Sequence, residues 1–238
     1  MSRTQSPLPR LTLALCAAAA LALCPARGAR AQDDARPAHA PSPKPARQFR
    51  EAGPLNGQTS PDPEGFEFEL NGFSYHVRRN GNGWRKKGER TRRFNLRLEA
   101  GGLARVYYAD YGGRLLLVCE ADDAENGGGF VTLLEQPSMR ARWQQTYHAH
   151  NVGEPLREGR ALYVTGVGFV GRINLETGQF DWQHDDLYDA GGGAADNFVA
   201  FETPELAGGA VLFRDKAVYN PRTTRVLDKK GGKILRVE

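Results

Sequence analysis

The sequence predicts an all-β fold, and within that class a small or incomplete β-propeller-like repeat domain of about four blades over residues 65–238. Three observations lead there. After Gly65 the β-branched, aromatic and Leu residues come in short runs broken by Gly, Asn and Asp, the pattern of strands joined by tight turns. No stretch carries a sustained 3.6-residue apolar period with helix caps at its ends. Lastly, an arrangement of aromatic and apolar positions recurs at a spacing of about 39 residues, a period typical of stacked blades.

The strands expected from these runs are 66–70, 73–78, 94–99, 103–109, 114–119, 129–135, 140–145, 160–165, 168–174, 179–183, 197–202, 209–214, 216–220, 224–228 and 233–237. A β-sandwich is the alternative arrangement for strands of this length and spacing. The repeat favours blades. Phe130-Val131 is followed by Trp143-Gln144 as Phe169-Val170 is followed by Trp182-Gln183, thirteen residues separating Phe from Trp in both. Each copy is preceded by Gly-Arg and an apolar strand, beginning at Gly113-Arg114 and Gly159-Arg160, and the upstream copy has the longer hairpin loop, Ala121 to Gly128. A weaker third copy from Ala210 to Asp228 aligns Tyr219-Asn220 and Thr223 with Ile173-Asn174 and Thr177, and puts Asp228 where the others have Trp.

The segment Arg172-Ile173-Asn174-Leu175-Glu176-Thr177-Gly178-Gln179-Phe180-Asp181-Trp182 resembles the blade repeat of quinoprotein-like (PQQ-repeat) β-propellers, of the form A-L-D-x-x-T-G-x-x-x-W. Arg172 and Asn174 depart from its Ala and Asp. Thr-Gly suits a tight hairpin turn and the Trp suits the seal between adjacent blades. The resemblance implies a fold rather than an activity. Catalytic members close six to eight blades, so the family implies more directly a non-catalytic exported scaffold with no cofactor, like the outer-membrane assembly factors built of the same repeat.

Residues 1–31 read as a cleavable signal peptide: Arg3 and Arg10, an apolar run from Leu11 to Leu23, and Ala29-Arg30-Ala31 before Gln32,. The run falls short of the roughly 20 residues that cross a bilayer core, so no transmembrane segment is expected after cleavage. The expected location is periplasmic or extracellular. Leu21-Ala22-Leu23-Cys24 offers a competing lipidation site, disfavoured by the bulk of Leu23. Residues 32–64 hold seven of the 14 prolines and few apolar side chains, and read as a disordered linker,.

Loss of the leader removes four arginines and leaves 28 bases against 28 acids. The basic pI thus belongs to the leader, and global charge makes no case for nucleic acid. Only Cys119 then remains, within an apolar run, and is expected to be a buried, inert thiol,.

Charge is nonetheless segregated along the chain. Arg78 to Arg97 holds nine bases and one acid, Glu89, whereas Ile173 to Phe213 holds eight acids and no base. The candidate partner-binding residues are Trp84, Arg85, Lys86, Lys87, Arg90, Arg92 and Arg93, read as a basic loop beside an aromatic. Its expected partner is an envelope protein or an anionic glycan or lipid surface. The competing expectation is that the basic and acidic segments neutralise each other or are merely solvated.

His148 and His150 are the weak candidates for a metal, because two residues apart on a strand they share a face. Asp185, Asp186 and Asp189 lack the D-x-D-x-D-G spacing of a calcium loop. No G-x-S-x-G nucleophile elbow occurs,. The expected function is an exported, non-catalytic binding or scaffold protein of the cell envelope. The alternatives are an envelope polysaccharide hydrolase or lyase and a cofactor-binding redox module.

Overall fold

The computed structural model describes residues 48–57, 64–98, 101–122, 128–187, 199–218 and 222–238. The leader, with Cys24, and most of the Pro-rich stretch lie outside them. Two short strands come first, β1 (Arg50–Glu51) and β2 (Gly53–Pro54). Four antiparallel units follow. They are β3 (Gly65–Leu70), β4 (Phe73–Arg78), β5 (Asn82–Lys87) and β6 (Arg90–Asn95); β7 (Gly102–Tyr111), β8 (Arg114–Asp122), β9 (Gly128–Glu135) and β10 (Arg140–His148); β11 (Leu156–Glu158), β12 (Ala161–Gly166), β13 (Phe169–Asn174) and β14 (Phe180–His184); and β15 (Glu205–Ala207), β16 (Ala210–Arg214), β17 (Thr224–Asp228) and β18 (Ile234–Val237). Each unit is a sheet of its own in which consecutive strands are neighbours. Four separate meanders rather than two facing sheets make this a propeller-like fold and exclude the sandwich.

The blades are held by three apolar clusters. The first joins Phe66, Phe68, Tyr75 and Val77 of blade one to Leu103, Val106, Leu115 and Leu117 of blade two. The second joins Leu116, Val118, Val131 and Leu133 of blade two to Leu162, Val164 and Ile173 of blade three, and the third joins Tyr163, Val170 and Trp182 to Val211, Phe213 and Leu227 of blade four. The central strands read as unbroken apolar runs, Leu115 to Cys119 and Ala161 to Val164, because both of their faces are covered,. Among the described residues no such cluster joins blade four to blade one.

Residues 48–57 correct the reading of 32–64 as one disordered linker. β1 pairs with β7 and β2 pairs with β3, so this segment stitches the first two blades together along their first strands. The Ala52 amide donates to the Val106 carbonyl at 2.9 Å. Phe49, Ala52 and Leu55 are buried, and these spaced apolar side chains supply the burial that the composition of the longer stretch conceals,.

Three further departures are local. Strands β5 and β6 replace the expected basic loop, because Gly83 and Phe94 on one face and Trp84 on the other alternate as strand residues do. The expected strand at 216–220 has no counterpart among its described residues, and the described part of the one at 197–202, from Val199 onward, holds only an isolated bridge between Phe201 and Asp215.

The third repeat copy is shifted. Asp228, not Tyr219-Asn220, is the counterpart of Asn174. Both residues receive a backbone bond from a glycine four residues on, Gly178 to Asn174 at 2.8 Å and Gly232 to Asp228 at 2.9 Å. Both cap the turn through their side chains, Asn174 accepting from Glu176 N and Asp228 from Lys230 N. The position equivalent to Trp182 is then Arg236, opposite Val226 as Trp182 is opposite Arg172.

Burial also sets the alkaline limit of the fold. Burial pushes the Tyr107 and Tyr163 hydroxyls up to about 12, and raises Tyr147 and the fully buried Cys119 thiol further still. These groups hold their protons in the folded state after the unfolded chain would release them. For Tyr107 and Tyr163 the contribution is therefore complete below the unfolded tyrosine range near 10 and is lost as pH rises toward about 12, while that of Cys119 starts to fall from the unfolded thiol range near 8.5,. Unfolding free energies measured from pH 8 to 12 are expected to fall steeply above about pH 10.

Candidate functional site

Blade one exposes one of its faces, and period-two alternation decides which side chains stand on it. His76 lies opposite Glu67 and Trp84, Trp84 opposite Arg93, and Lys86 opposite Thr91. The His76 and Trp84 rings stack at 5.0 Å and 9°, and the Arg78 guanidinium lies 5.6 Å from the indole centroid. His76 Nδ1 is 3.7 Å from the Glu67 carboxylate. The indole thus braces a neighbouring cation as well as offering apolar surface.

Two shallow hollows share this face. One, of 570 Å³, is lined by Leu55, Asn56, Glu64, His76, Arg78 and Trp84. The other, of 700 Å³, is lined by Arg78, Asn82, Trp84, Lys86, Thr91 and Arg93, among others. Arg78 and Trp84 belong to both.

The seven predicted residues therefore divide between two faces. Trp84, Lys86 and Arg93 stand on the exposed face. Arg85, Lys87, Arg90 and Arg92 stand on the opposite one, where Arg85 is buried under the β9–β10 turn and donates to Pro137 O at 3.2 Å. The candidate residues read from the sequence do not include Glu64, His76 or Arg78. The register of β3 to β5 brings them together, and a strict alternation count from Phe66 to Trp84 is the signal that could have found them.

Mutual neutralisation of the basic and acidic segments is corrected for the described acids that form ion pairs. Glu176 pairs with Arg160, Asp181 with Arg172, Glu202 with Arg222 and Glu205 with Arg214, all within blades three and four. Asp189 and Asp196 lie outside the described residues. Among the described residues no carboxylate is in ion-pair contact with Lys86, Arg90, Arg92 or Arg93.

His148 ends β10 and His150 lies in the bend beyond it, both exposed. Among the described residues no group of three or more His, Cys, Asp or Glu gathers into a metal-binding arrangement there or elsewhere. No helix among them is long and apolar enough to cross a membrane.

No protein-family model and no curated protein matches the sequence. Among solved structures the chain is similar to BamB from Moraxella catarrhalis, at 15% identity over 69% of this chain and 49% of that one, with a TM-score of 0.47. It is similar to the computationally designed Ika8 protein at 12% identity, over 72% of this chain and 48% of that one, with a TM-score of 0.43. It is also similar to apo AztD from Citrobacter koseri, at 11% identity over 81% of this chain and 57% of that one, with a TM-score of 0.42. The chain spans about half the length of the solved chains it matches.

Proposed function

We propose that this protein is an exported, non-catalytic binding domain of the cell envelope, built of quinoprotein-like blades, that engages a polyanionic partner through the exposed face of its first blade. The observation that carries the reading is the set of cations on that face. Arg78, Lys86 and Arg93 surround one half-buried tryptophan, and Lys86 and Arg93 have no ion-pair partner among the described residues. Exposed and unpaired cations contribute little to stability, roughly 0 to 1 kcal/mol each, but act together on a polymer of opposite charge.

The test is retention of the protein on a sulfated polysaccharide resin, on vesicles rich in anionic lipid and on an acidic protein surface. The triple substitution Arg78→Gln, Lys86→Gln and Arg93→Gln is expected to abolish retention on the matching probe while moving the melting temperature little. Retention of the unaltered protein should weaken steeply with salt, as the Debye length shrinks from about 10 Å at 0.1 M to about 3 Å at 1 M. A triple variant that folds and is retained as well as the original protein overturns the reading.

A polysaccharide-cleaving enzyme is the second reading, favoured by the hollow in which Glu64 and His76 join Trp84. It requires that Glu64→Gln abolish cleavage of an anionic glycan while leaving retention intact.

A further inference from the structure

We propose that β6, the last strand of blade one, takes an acidic polypeptide segment as an added strand along its free edge. This rests on the reading of blade one as a polyanion-binding unit, and it names the partner as a protein chain in extended conformation.

β6 is the edge of its sheet and pairs with β5 alone. Bonded and non-bonded pairs alternate along an antiparallel ladder, which decides the backbone groups that face outward. The two-residue turn Gly88-Glu89 makes Lys87 and Arg90 a bonded pair,. At the other end Leu96 N donates to Gly81 O at 2.9 Å, in step with the same alternation. Thr91, Arg93 and Asn95 occupy the intervening positions, so their amides and carbonyls point away from β5. Among the described residues none of these groups has a hydrogen-bond partner.

The edge is also unbroken. The last strands of the other three blades, β10, β14 and β18, each carry a register shift against their neighbour. Such bulges twist a strand and spoil it as a template for pairing. β6 pairs with β5 from Arg90 to Asn95 without one.

Side chains select what this edge receives. Arg90, Arg92 and Arg93 are exposed, and Lys86 and Lys87 stand directly behind Thr91 and Arg90 on β5. None of these five cations is in ion-pair contact with a carboxylate among the described residues, and Glu89, the one acid of the hairpin, sits in its turn. Charges on an edge strand ordinarily keep other strands away. Here they are of one sign, so they repel a second copy of β6, in which arginine would face arginine, and admit a strand of opposite charge. Arg93 and Lys86 stand on the Trp84 face, and Arg90, Arg92 and Lys87 on the other. An incoming strand alternates its side chains in the same way, so consecutive Asp or Glu residues meet cations on both faces. Main-chain bonds then supply affinity and the alternating side chains the choice of partner. A sulfated polysaccharide or a lipid surface can use the cations but has no ladder of amides and carbonyls to set against Thr91, Arg93 and Asn95.

The experiment measures binding to the full chain, by fluorescence anisotropy, of a labelled peptide of about ten residues made of paired Glu separated by Thr. The same peptide methylated on every backbone nitrogen keeps the charge and loses all main-chain donors. Saturable binding of the first peptide is expected, at least about tenfold tighter than of the second. It should slow hydrogen exchange at the Thr91, Arg93 and Asn95 amides. Thr91→Pro removes one outward amide and no bond to β5, and is expected to weaken the first peptide about tenfold. The comparison of the two peptides uses the unaltered protein, so it stands whether or not that variant folds. Equal binding of the two peptides overturns the proposal, as does a folded Thr91→Pro variant that binds the first as tightly as the unaltered protein. A protein that is retained on sulfated polysaccharide but binds neither peptide overturns this proposal alone, whereas failure to bind either kind of probe overturns the polyanion reading with it.

Discussion

Truncating Trp182 to alanine is expected to cost about 3 to 5 kcal/mol of unfolding free energy, read from denaturant curves. The indole fills the junction between blades three and four, packed among Tyr163, Phe213 and Gly232. Its Nε1 donates to Lys229 O at 3.0 Å, so truncation removes a donor as well as opening a cavity. Trp143 repeats the arrangement one blade earlier, against Gly178 and Leu175 O, but is less buried and should cost less. Glycine faces the indole in both turns for two reasons. Gly178 and Gly232 have φ of +74° and +70°, and a Cβ at either position would lie within 2.6 Å of the ring. Gly232→Ala should therefore destabilise on its own, whereas adding it to Trp182→Ala leaves only the backbone cost, about 1 to 2 kcal/mol. Strict additivity of the two substitutions would mean that the indole and the turn are not in contact.

Replacing Asp215 with alanine should be about as damaging, at about 3 to 5 kcal/mol. Asp215 is fully buried. It accepts from Thr223 N at 3.1 Å and Thr223 Oγ1 at 2.5 Å, and it pairs with the buried Arg225, whose guanidinium lies 5.5 Å from the Phe201 ring centroid. Removal of the carboxylate takes the buried counter-charge away from Arg225, and that is the main loss,. Asp215→Ala combined with Arg225→Met should recover most of the stability, because replacing a buried ion pair by apolar side chains is often neutral. A double variant as unstable as the single one would show instead that the backbone-capping bonds to Thr223 carry the effect.

Both residues show how far the sequence could be read. Trp143 and Trp182 were legible as equivalent positions because a tandem repeat preserves spacing, and an interblade seal recurs wherever the same turn recurs. Asp215 was not legible. It lies between an apolar run and a segment without periodicity, and its partners Thr223 and Arg225 come from the following strand, a relation that exists only once β16 and β17 pair. The third repeat was misaligned for a related reason. The residue that defines the turn is Asp228, and its role shows only in the bonds its side chain makes to Lys230 and Gly231.

The sequence by itself determined the all-β class, the blade repeat and the segregation of charge, because these depend on local alternation, turn chemistry and counting. The tertiary structure decided how that charge is used. A strand exposes successive side chains on opposite faces, so one basic segment became two surfaces, with Trp84, Lys86 and Arg93 on one and Arg85, Lys87, Arg90 and Arg92 on the other. Which face meets the next blade, which cations keep their freedom and which acids are already paired are set by packing between blades, and contacts between residues far apart in the chain leave no mark on local composition.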